Sequence, residues 1–197
     1  MKNNFPSRKD NIVLTAIEII NDLGIQGLST KELAKRQAIT ESLLYRYFRS
    51  KDEIIVAVLE NFSRFDQSIH KTIGNASTTA KEKILEYFRL YTEYYENYPA
   101  IIAVMLSFNE FAHDPKTHPI VVDIFNNRNA FLSETIHFGQ KKGEIGYYFS
   151  SEELTEILSG FFKNVAFIWR LKEYSFSLKD HTLTAVQKIL DNQIMNK

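Results

Sequence analysis

Residues 28–51 constrain this chain more than any other segment, because their apolar side chains fall at helical spacing on both sides of a short interruption. Leu33 lies on one face of a first short helix, and Leu44 and Phe48, four residues apart, share one face of a second. These faces can bury each other if the chain turns sharply near Ile39. The spacing therefore predicts two short helices that cross and share one small core.

Polar residues at the expected helix starts favour the same arrangement. Ser29, with Glu32 three residues later, fits a capping box for the first short helix, and Thr40 fits an N-cap for the second. Ser50 and Glu53 form another capping box pattern. We therefore expect a third helix to begin directly after the pair.

The outward face of the predicted pair is polar, aromatic and basic. It carries Thr30, Lys31, Glu41, Ser42, Tyr45, Arg46 and Tyr47. Such side chains reach phosphates and base edges when a recognition helix lies in the major groove. Lys51, in the first turn of the next helix, lies where free backbone N–H groups attract a phosphate. The segment thus predicts contact with double-stranded DNA.

The charge distribution agrees with this prediction, although the whole chain has a formal net charge of zero. Residues 1–51 contain nine Lys and Arg against five Asp and Glu, a net charge of +4, and the remainder carries −4. An uneven surface would explain the division equally well on its own. Joined to the helix pair, it favours a basic head that meets phosphate.

The same segment resembles the TetR (tetracycline-repressor type) family of bacterial transcriptional regulators. The resemblance covers about the first 55 residues and rests on Ala16, Gly24, Gly27-Leu28-Ser29-Thr30, Leu33-Ala34 and Leu44-Tyr45-x-Tyr47-Phe48-x-Ser50-Lys51. Several fixed spacings agree at once, which makes the match specific.

The resemblance implies roles for individual residues. The residues implied to contact the DNA backbone are Thr30, Lys31, Tyr45, Tyr47 and Lys51. Those implied to face bases are Glu41, Ser42 and Leu43. Thr40 and Arg46 complete the predicted DNA-binding set. Two residues depart from the family's pattern: Tyr47 stands where many members have His, and Leu43 where a small residue is usual. Leu43 indicates an apolar contact, such as one with a thymine methyl group.

Helical periodicity continues to the end of the chain, so the sequence predicts an all-α fold without strands. The first helix should run from about Ser7 to Gly24, and others lie near residues 51–73, 79–98, 100–112, 119–142, 150–169 and 179–194. With the helix pair these make nine helices, the number that the resemblance also implies. We expect a DNA-binding domain over residues 1–51 and an effector-binding and dimerisation domain over residues 52–197.

The resemblance implies an effector pocket in this second domain, and aromatic residues at helical spacing supply a lining for it. The predicted lining is Tyr87, Tyr91, Tyr94, Met105, Phe108, Phe125, Phe161, Phe162 and Trp169, with Asn109, Glu110 and Arg128 as polar anchors. Few charges accompany them, which favours a small apolar or aromatic effector. Packing of an ordinary helical core would explain the same aromatic residues.

The last two predicted helices are apolar over more than one face. The predicted dimerisation residues are Phe161, Val165, Ile168, Leu183, Val186 and Leu190. Such a pair in each of two subunits would form an isologous four-helix interface in a homodimer. Alternatively, these stripes bury only against the chain's own helices.

Several other classes of protein are disfavoured by the sequence. No cysteine is present, so a disulfide or thiolate site is excluded, and no G-x-S-x-G, phosphate-binding glycine loop or H-E-x-x-H motif indicates an enzyme. His113 and His118 lie in a proline-rich loop, which leaves a metal open as a minor alternative, and we expect neither a metal nor a cofactor. The N-terminus lacks a signal-peptide h-region and no apolar run is long enough for a membrane span, so we expect a cytoplasmic protein.

Together these observations favour a ligand-responsive transcriptional regulator. We expect a repressor that a small, largely apolar effector releases from a pseudo-palindromic operator. The alternative is an effector-independent DNA-bound structural or adaptor protein whose body binds a protein partner.

Overall fold

The computed structural model describes residues 7–193, and that range contains ten α-helices and no strand. The helices are α1 (Arg8–Gly27), α2 (Thr30–Arg36), α3 (Glu41–Leu44), α4 (Lys51–Gly74), α5 (Ala80–Asn97), α6 (Ile101–Leu106), α7 (Phe108–Phe111), α8 (His118–Lys141), α9 (Ser151–Leu171) and α10 (Leu178–Asp191). The all-α prediction is confirmed. The count is ten, not nine, because the apolar stretch after Pro99 is divided at Ser107.

The chain forms two compact units. Among the described residues, one consists of 7–64 together with Ala100–Val122, and the other of Phe65–Pro99 together with 123–193. These units follow packing and do not coincide with the predicted domains 1–51 and 52–197. The latter boundary remains a prediction about which residues serve DNA and which serve the effector.

The first unit has a core of aliphatic side chains from several helices. Apolar residues of α1 recur every three or four positions and are buried, in agreement with the helical periodicity of the sequence. Helices α2 and α6 both pack against α1. Phe62 of α4 meets Phe108 of α7 edge to face, with ring centroids 5.2 Å apart. The helix pair is therefore packed against other helices of the first unit.

The second unit is built around the aromatic residues of α5. Tyr91 and Tyr95 are fully buried, and Phe162 of α9 stacks on Tyr95 at 5.5 Å. Helix α10 packs against both α5 and α9. Its buried side is formed by Leu178, Thr182, Val186 and Leu190, spaced by four residues. This helix therefore completes the core of its own subunit.

Helix boundaries follow the local signals in the sequence. Capping boxes begin α5 and α9, where the hydroxyls of Thr79 and Ser150 accept from the backbone N–H three residues on and the Glu side chain at that position bonds back. Gly24 has a φ of +70° and interrupts α1 where the prediction ended that helix. The predicted end of the last helix, Ile194, lies outside the described residues. Between residues 7 and 193, no helix is long and apolar enough to cross a membrane.

Candidate nucleic-acid interface

The starts of the two short helices are fixed by hydroxyl caps, as the sequence predicted. The Ser29 hydroxyl accepts from the Glu32 N–H at 3.1 Å, and the Thr40 hydroxyl accepts from the Leu43 N–H at 3.2 Å. Glu32 does not complete the predicted capping box, because its carboxylate binds Arg36 instead, 3.0 Å away. Each helix therefore begins at the expected residue, with one reciprocal bond replaced by an ion pair.

The predicted small core is present, but α3 ends at Leu44, so Phe48 reaches this core from the turn after the helix. Leu33 and Leu44 are fully buried, and Phe48 is only 1% exposed. The backbone between the helices turns at Ala38, whose φ is +50°. This left-handed conformation is unfavourable for a residue with a Cβ, so the helix pair holds Ala38 in a strained turn.

The outward face presents its side chains to solvent. Lys31, Glu41, Ser42, Tyr45, Arg46 and Tyr47 are exposed, as is Thr40, and Thr30 and Leu43 are half-buried. Tyr45 is 50% and Tyr47 36% exposed, unusual for aromatic residues that pack beside a core. Arg49, which the prediction omitted, is exposed beside them. The surface therefore combines free cations with accessible phenol groups.

Lys51 begins α4, as the sequence predicted, and its contact with a phosphate stays a prediction. Its Nζ donates to the Ile25 carbonyl oxygen at 3.3 Å, so in this structure the ammonium ties the start of α4 to the end of α1. The Ser50 hydroxyl caps the Glu53 N–H, and the Glu53 carboxylate accepts from the Arg49 N–H at 2.6 Å. The predicted capping box is therefore incomplete, because the Glu53 carboxylate accepts from the N–H of Arg49 and not from that of Ser50.

The polar contacts of Arg36 and Thr30 decide which charged side chains of the helix pair remain available to DNA. Arg36 is neutralised by Asp22 at 2.7 Å and by Glu32. The Thr30 hydroxyl donates to the Glu41 carboxylate, with Oγ1 and Oε2 2.7 Å apart. This bond joins the first residue of α2 to the first residue of α3. No local pattern predicts this bond, because the two residues are eleven positions apart.

The predicted effector residues fall in both compact units. Met105 is buried and Phe108 half-buried in the first unit, where the proposed anchors Asn109 and Glu110 are exposed. The second unit contains Tyr87, Tyr91, Tyr94, Phe125, Phe161, Phe162, Trp169 and Arg128.

Arg128 is the centre of a buried polar cluster in the second unit. Its Nε and Nη2 donate to the two carboxylate oxygens of Asp66 at 2.7 and 2.6 Å. The Tyr91 hydroxyl donates to the same carboxylate at 2.7 Å, and the guanidinium lies 4.5 Å from the Tyr91 ring centre. Burial raises the pKa of Tyr91, which keeps its phenol protonated as a donor. The predicted anchor is therefore already engaged by an acid of its own chain.

Asp66 was missed by the sequence analysis, although a signal for it existed. It lies four residues after Phe62, on the buried stripe of α4, where an acidic residue requires a partner. His70 follows one turn later and stacks on Phe131 of α8 at 4.3 Å, with the rings nearly parallel. Its Nε2 is buried and bonds to no atom of the described chain. Burial lowers the pKa of His70, so the imidazole is held neutral.

Other predicted lining residues are used within the core. Tyr94 stacks on Phe65 at 3.6 Å, and the Trp169 Nε1 donates to the Phe176 carbonyl oxygen at 2.7 Å. Trp169 therefore fixes the loop between α9 and α10. Phe125, in contrast, is 60% exposed. The role of these residues in binding an effector stays a prediction.

The predicted dimerisation residues divide into two groups. Val165 of α9 and Val186 and Leu190 of α10 face the core of the second unit and are buried there. They are therefore not available to a partner. Phe161, Ile168 and Leu183 are half-buried. The outward side of α9 carries Ile157, Phe161, Phe167, Ile168 and Leu171, of which Leu171 is 65% exposed.

The proline-rich loop of the first unit is held by ordinary contacts. His118 Nδ1 lies 2.9 Å from the Ala112 carbonyl oxygen, and Lys116 pairs with Asp52 at 2.6 Å. Over residues 7–193, no group of three or more His, Asp or Glu side chains could hold a metal ion.

A helix pair with capped starts, a shared core and an exposed basic and aromatic outer face defines a helix-turn-helix protein. The model of the tetR family of bacterial regulatory proteins matches residues 12–58. Over 53 residues the chain is 34% identical to the tetracycline repressor protein class C of Escherichia coli, an alignment that covers 27% of this chain and 24% of that repressor. The chain thus matches about a quarter of the repressor's length. Residues 12–58 are therefore similar to the DNA-binding region of the TetR family.

Solved structures extend the similarity of fold over almost the whole chain. A transcriptional regulator from Saccharomonospora viridis in complex with choline superposes with a TM-score of 0.80 at 19% identity, over 96% of this chain and 98% of that one. The regulator FadR from Bacillus subtilis in complex with stearoyl-CoA gives a TM-score of 0.77 at 18% identity, over 93% and 97%. At these identities the likeness concerns the fold alone.

Proposed function

We propose that this protein is a homodimeric transcriptional repressor, released from its operator by a small, largely apolar effector. The observation that carries the DNA-binding part is the outer face of α2, α3 and the turn after α3, with exposed Lys31, Tyr45, Arg46 and Tyr47 over a buried core. Lysine and arginine bind phosphate through charge, and the phenols donate to phosphate oxygens. In a dimer, two such helix pairs would lie about one turn of DNA apart, roughly 34 Å, and read a pseudo-palindrome.

The outward side of α9 is the surface that we assign to the second copy. Ile157, Phe161, Ile168 and Leu171 lie on one side of the helix at helical spacing, with the exposed Asn164 between Phe161 and Ile168. The exposed side of α10 instead carries Asp180, His181, Thr184 and Lys188. An isologous contact would bring two α9 stripes together, with α10 at the rim.

For the effector, we propose the aromatic surroundings of Asp66, His70 and Arg128 as the region that responds. Tyr87, Phe131 and His70 hold nearly parallel rings there, which suits a flat apolar or aromatic molecule. The relatives of similar fold were solved with ligands as different as choline and stearoyl-CoA. The proposal for this chain therefore rests on its own residues.

A second function competes for the body of the protein. Tyr91 and Tyr95 are fully buried by contacts with neighbouring rings, as a dry helical core would be. This packing favours an effector-independent DNA-bound adaptor whose body binds a protein partner.

The decisive experiment measures binding of the purified protein to DNA from its own upstream region. A sequence-dependent mobility shift is expected, and equal affinity for scrambled DNA of the same length would exclude a specific regulator. Native mass spectrometry of the protein from its host distinguishes the two functions of the body. A copurified apolar molecule that weakens the shift supports the repressor, and a shift unchanged by any copurified molecule supports the adaptor.

A further inference from the structure

We propose that Glu41 reads the exocyclic amino group of a cytosine in each half of the operator, and that Thr30 positions Glu41 for this contact. The inference rests on the proposed DNA binding and assigns the base that one residue selects. It also changes the role of Thr30, for which the family resemblance implies a contact with the DNA backbone.

A hydrogen bond joins the first residues of α2 and α3. Thr30 Oγ1 donates to Glu41 Oε2 at 2.7 Å. A threonine hydroxyl has one proton, so it cannot donate to Glu41 and to a phosphate at the same time. While the bond is intact, Thr30 fixes the direction of the carboxylate. Because Thr30 is itself the first residue of α2, directly after the Ser29 cap, the support is rigid.

The other carboxylate oxygen remains available. Within residues 7–193, Oε1 of Glu41 accepts no hydrogen bond, and no Lys or Arg lies within ion-pair distance of either oxygen. Glu41 is exposed, as are Lys31 and Arg46 of the same segment. An unpaired carboxylate close to phosphates is repelled unless the DNA supplies a hydrogen-bond donor. Glu41 therefore either weakens binding to all DNA or selects a base with such a donor.

The major groove restricts that donor to one base. Guanine presents only acceptors there, N7 and O6, and thymine presents the O4 acceptor and a methyl group. Adenine has an N6 amino group, but its N7 acceptor lies beside it and repels a carboxylate. Cytosine offers its N4 amino group with no neighbouring acceptor, and a glutamate oxygen is its usual acceptor. The geometry therefore points to cytosine opposite Glu41.

The test compares the sequences that wild type and variants select from a random pool of double-stranded DNA. Wild type should select a motif with a cytosine at one position of each half-site, preferred over other bases by roughly 5- to 100-fold. Glu41→Gln should change that position alone, toward adenine, since a carboxamide pairs with adenine N6 and N7. Thr30→Val should weaken the cytosine preference and leave the other positions unchanged.

Glu60→Gln is the matched control, because Glu60 is an exposed acid on α4 in the same compact unit. It changes the charge by the same amount and should select the wild-type motif. Circular dichroism confirms that each variant is folded.

Two results would overturn the proposal. In one, Glu41→Gln selects the wild-type motif and binds every sequence more tightly, which would make Glu41 a purely repulsive charge. In the other, Thr30→Val loses affinity equally for all sequences, as loss of a phosphate contact would. If wild type selects no motif at all, the proposed function fails as well, so the two failures are distinguishable.

Discussion

Arg128 binds Asp66 through two parallel hydrogen bonds of 2.7 and 2.6 Å inside the second compact unit, 62 residues apart in the sequence. The Asp66 and Arg128 side chains are only 5% and 15% exposed. A buried pair of this kind contributes little compared with apolar residues of the same volume, but loss of one partner leaves a buried charge without its counterion. The pair therefore makes the stability of this unit sensitive to either residue.

We expect Asp66→Asn to lower the free energy of unfolding by about 3–5 kcal/mol, measured by urea denaturation. Asp52→Asn is the control, since Asp52 pairs with the exposed Lys116 and its loss should cost less than about 1 kcal/mol. The double variant Asp66→Asn/Arg128→Met should recover part of the loss. Equal effects of the two single variants would contradict the buried-charge explanation.

At Ala38 we expect a substitution to raise the free energy of unfolding. Because its φ is +50°, Ala38→Gly should raise the free energy of unfolding by up to about 1 kcal/mol, and Ala38→Val should lower it. Ala130→Gly, at an exposed helical position of α8, should instead lower it by about 0.5–1 kcal/mol. Destabilisation by glycine at both positions would show that the turn is not strained.

His70 predicts how stability depends on pH. Burial lowers its pKa, Asp66 opposes this shift and Arg128 adds to it. The unfolded chain therefore takes up a proton at higher pH than the native state does, and stability falls as pH drops below about 6.5, the usual pKa of histidine. His70→Phe should reduce this fall between pH 7.5 and pH 5.5 in urea unfolding, while keeping the stacking on Phe131. His137→Phe, at an exposed position, should leave the profile as in wild type.

The outward stripe of α9 predicts the effect of charge on the proposed dimer. Ile157→Glu with Ile168→Glu should yield folded monomers in sedimentation velocity experiments, because two negative charges would face their copies across the symmetry axis. Thr184→Glu, on the polar side of α10, should remain dimeric. Val165→Glu should instead unfold the subunit, since Val165 is buried in its own core. A dimer that persists in the double variant would place the interface elsewhere.

Arg46 should act through charge alone. Arg46→Ala should weaken binding to specific and scrambled DNA by the same factor and reduce the slope of log K against log salt by about 1, measured by fluorescence anisotropy. Arg36→Ala should leave that slope unchanged, because Asp22 and Glu32 already neutralise Arg36. A change in sequence preference for Arg46→Ala would indicate base contact instead.

The sequence by itself determined the helix-turn-helix and the all-α fold. Caps such as Ser29 and Thr40, and apolar pairs such as Leu44 and Phe48, act between residues at most four positions apart, so the sequence order contains the whole interaction. The family similarity lies in the same segment, residues 12–58. The local sequence is therefore sufficient to predict the helix-turn-helix.

Tertiary structure alone decided the partners of the charged residues and the orientation of the apolar stripes. The bonds from Arg128 to Asp66 and from Thr30 to Glu41 join residues that are distant in sequence, and no local pattern specifies such pairs. An apolar stripe shows that a helix face is buried but not by which chain. Val186 and Leu190 therefore looked equally suited to a partner subunit until the packing of α10 on α5 and α9 placed them in their own core.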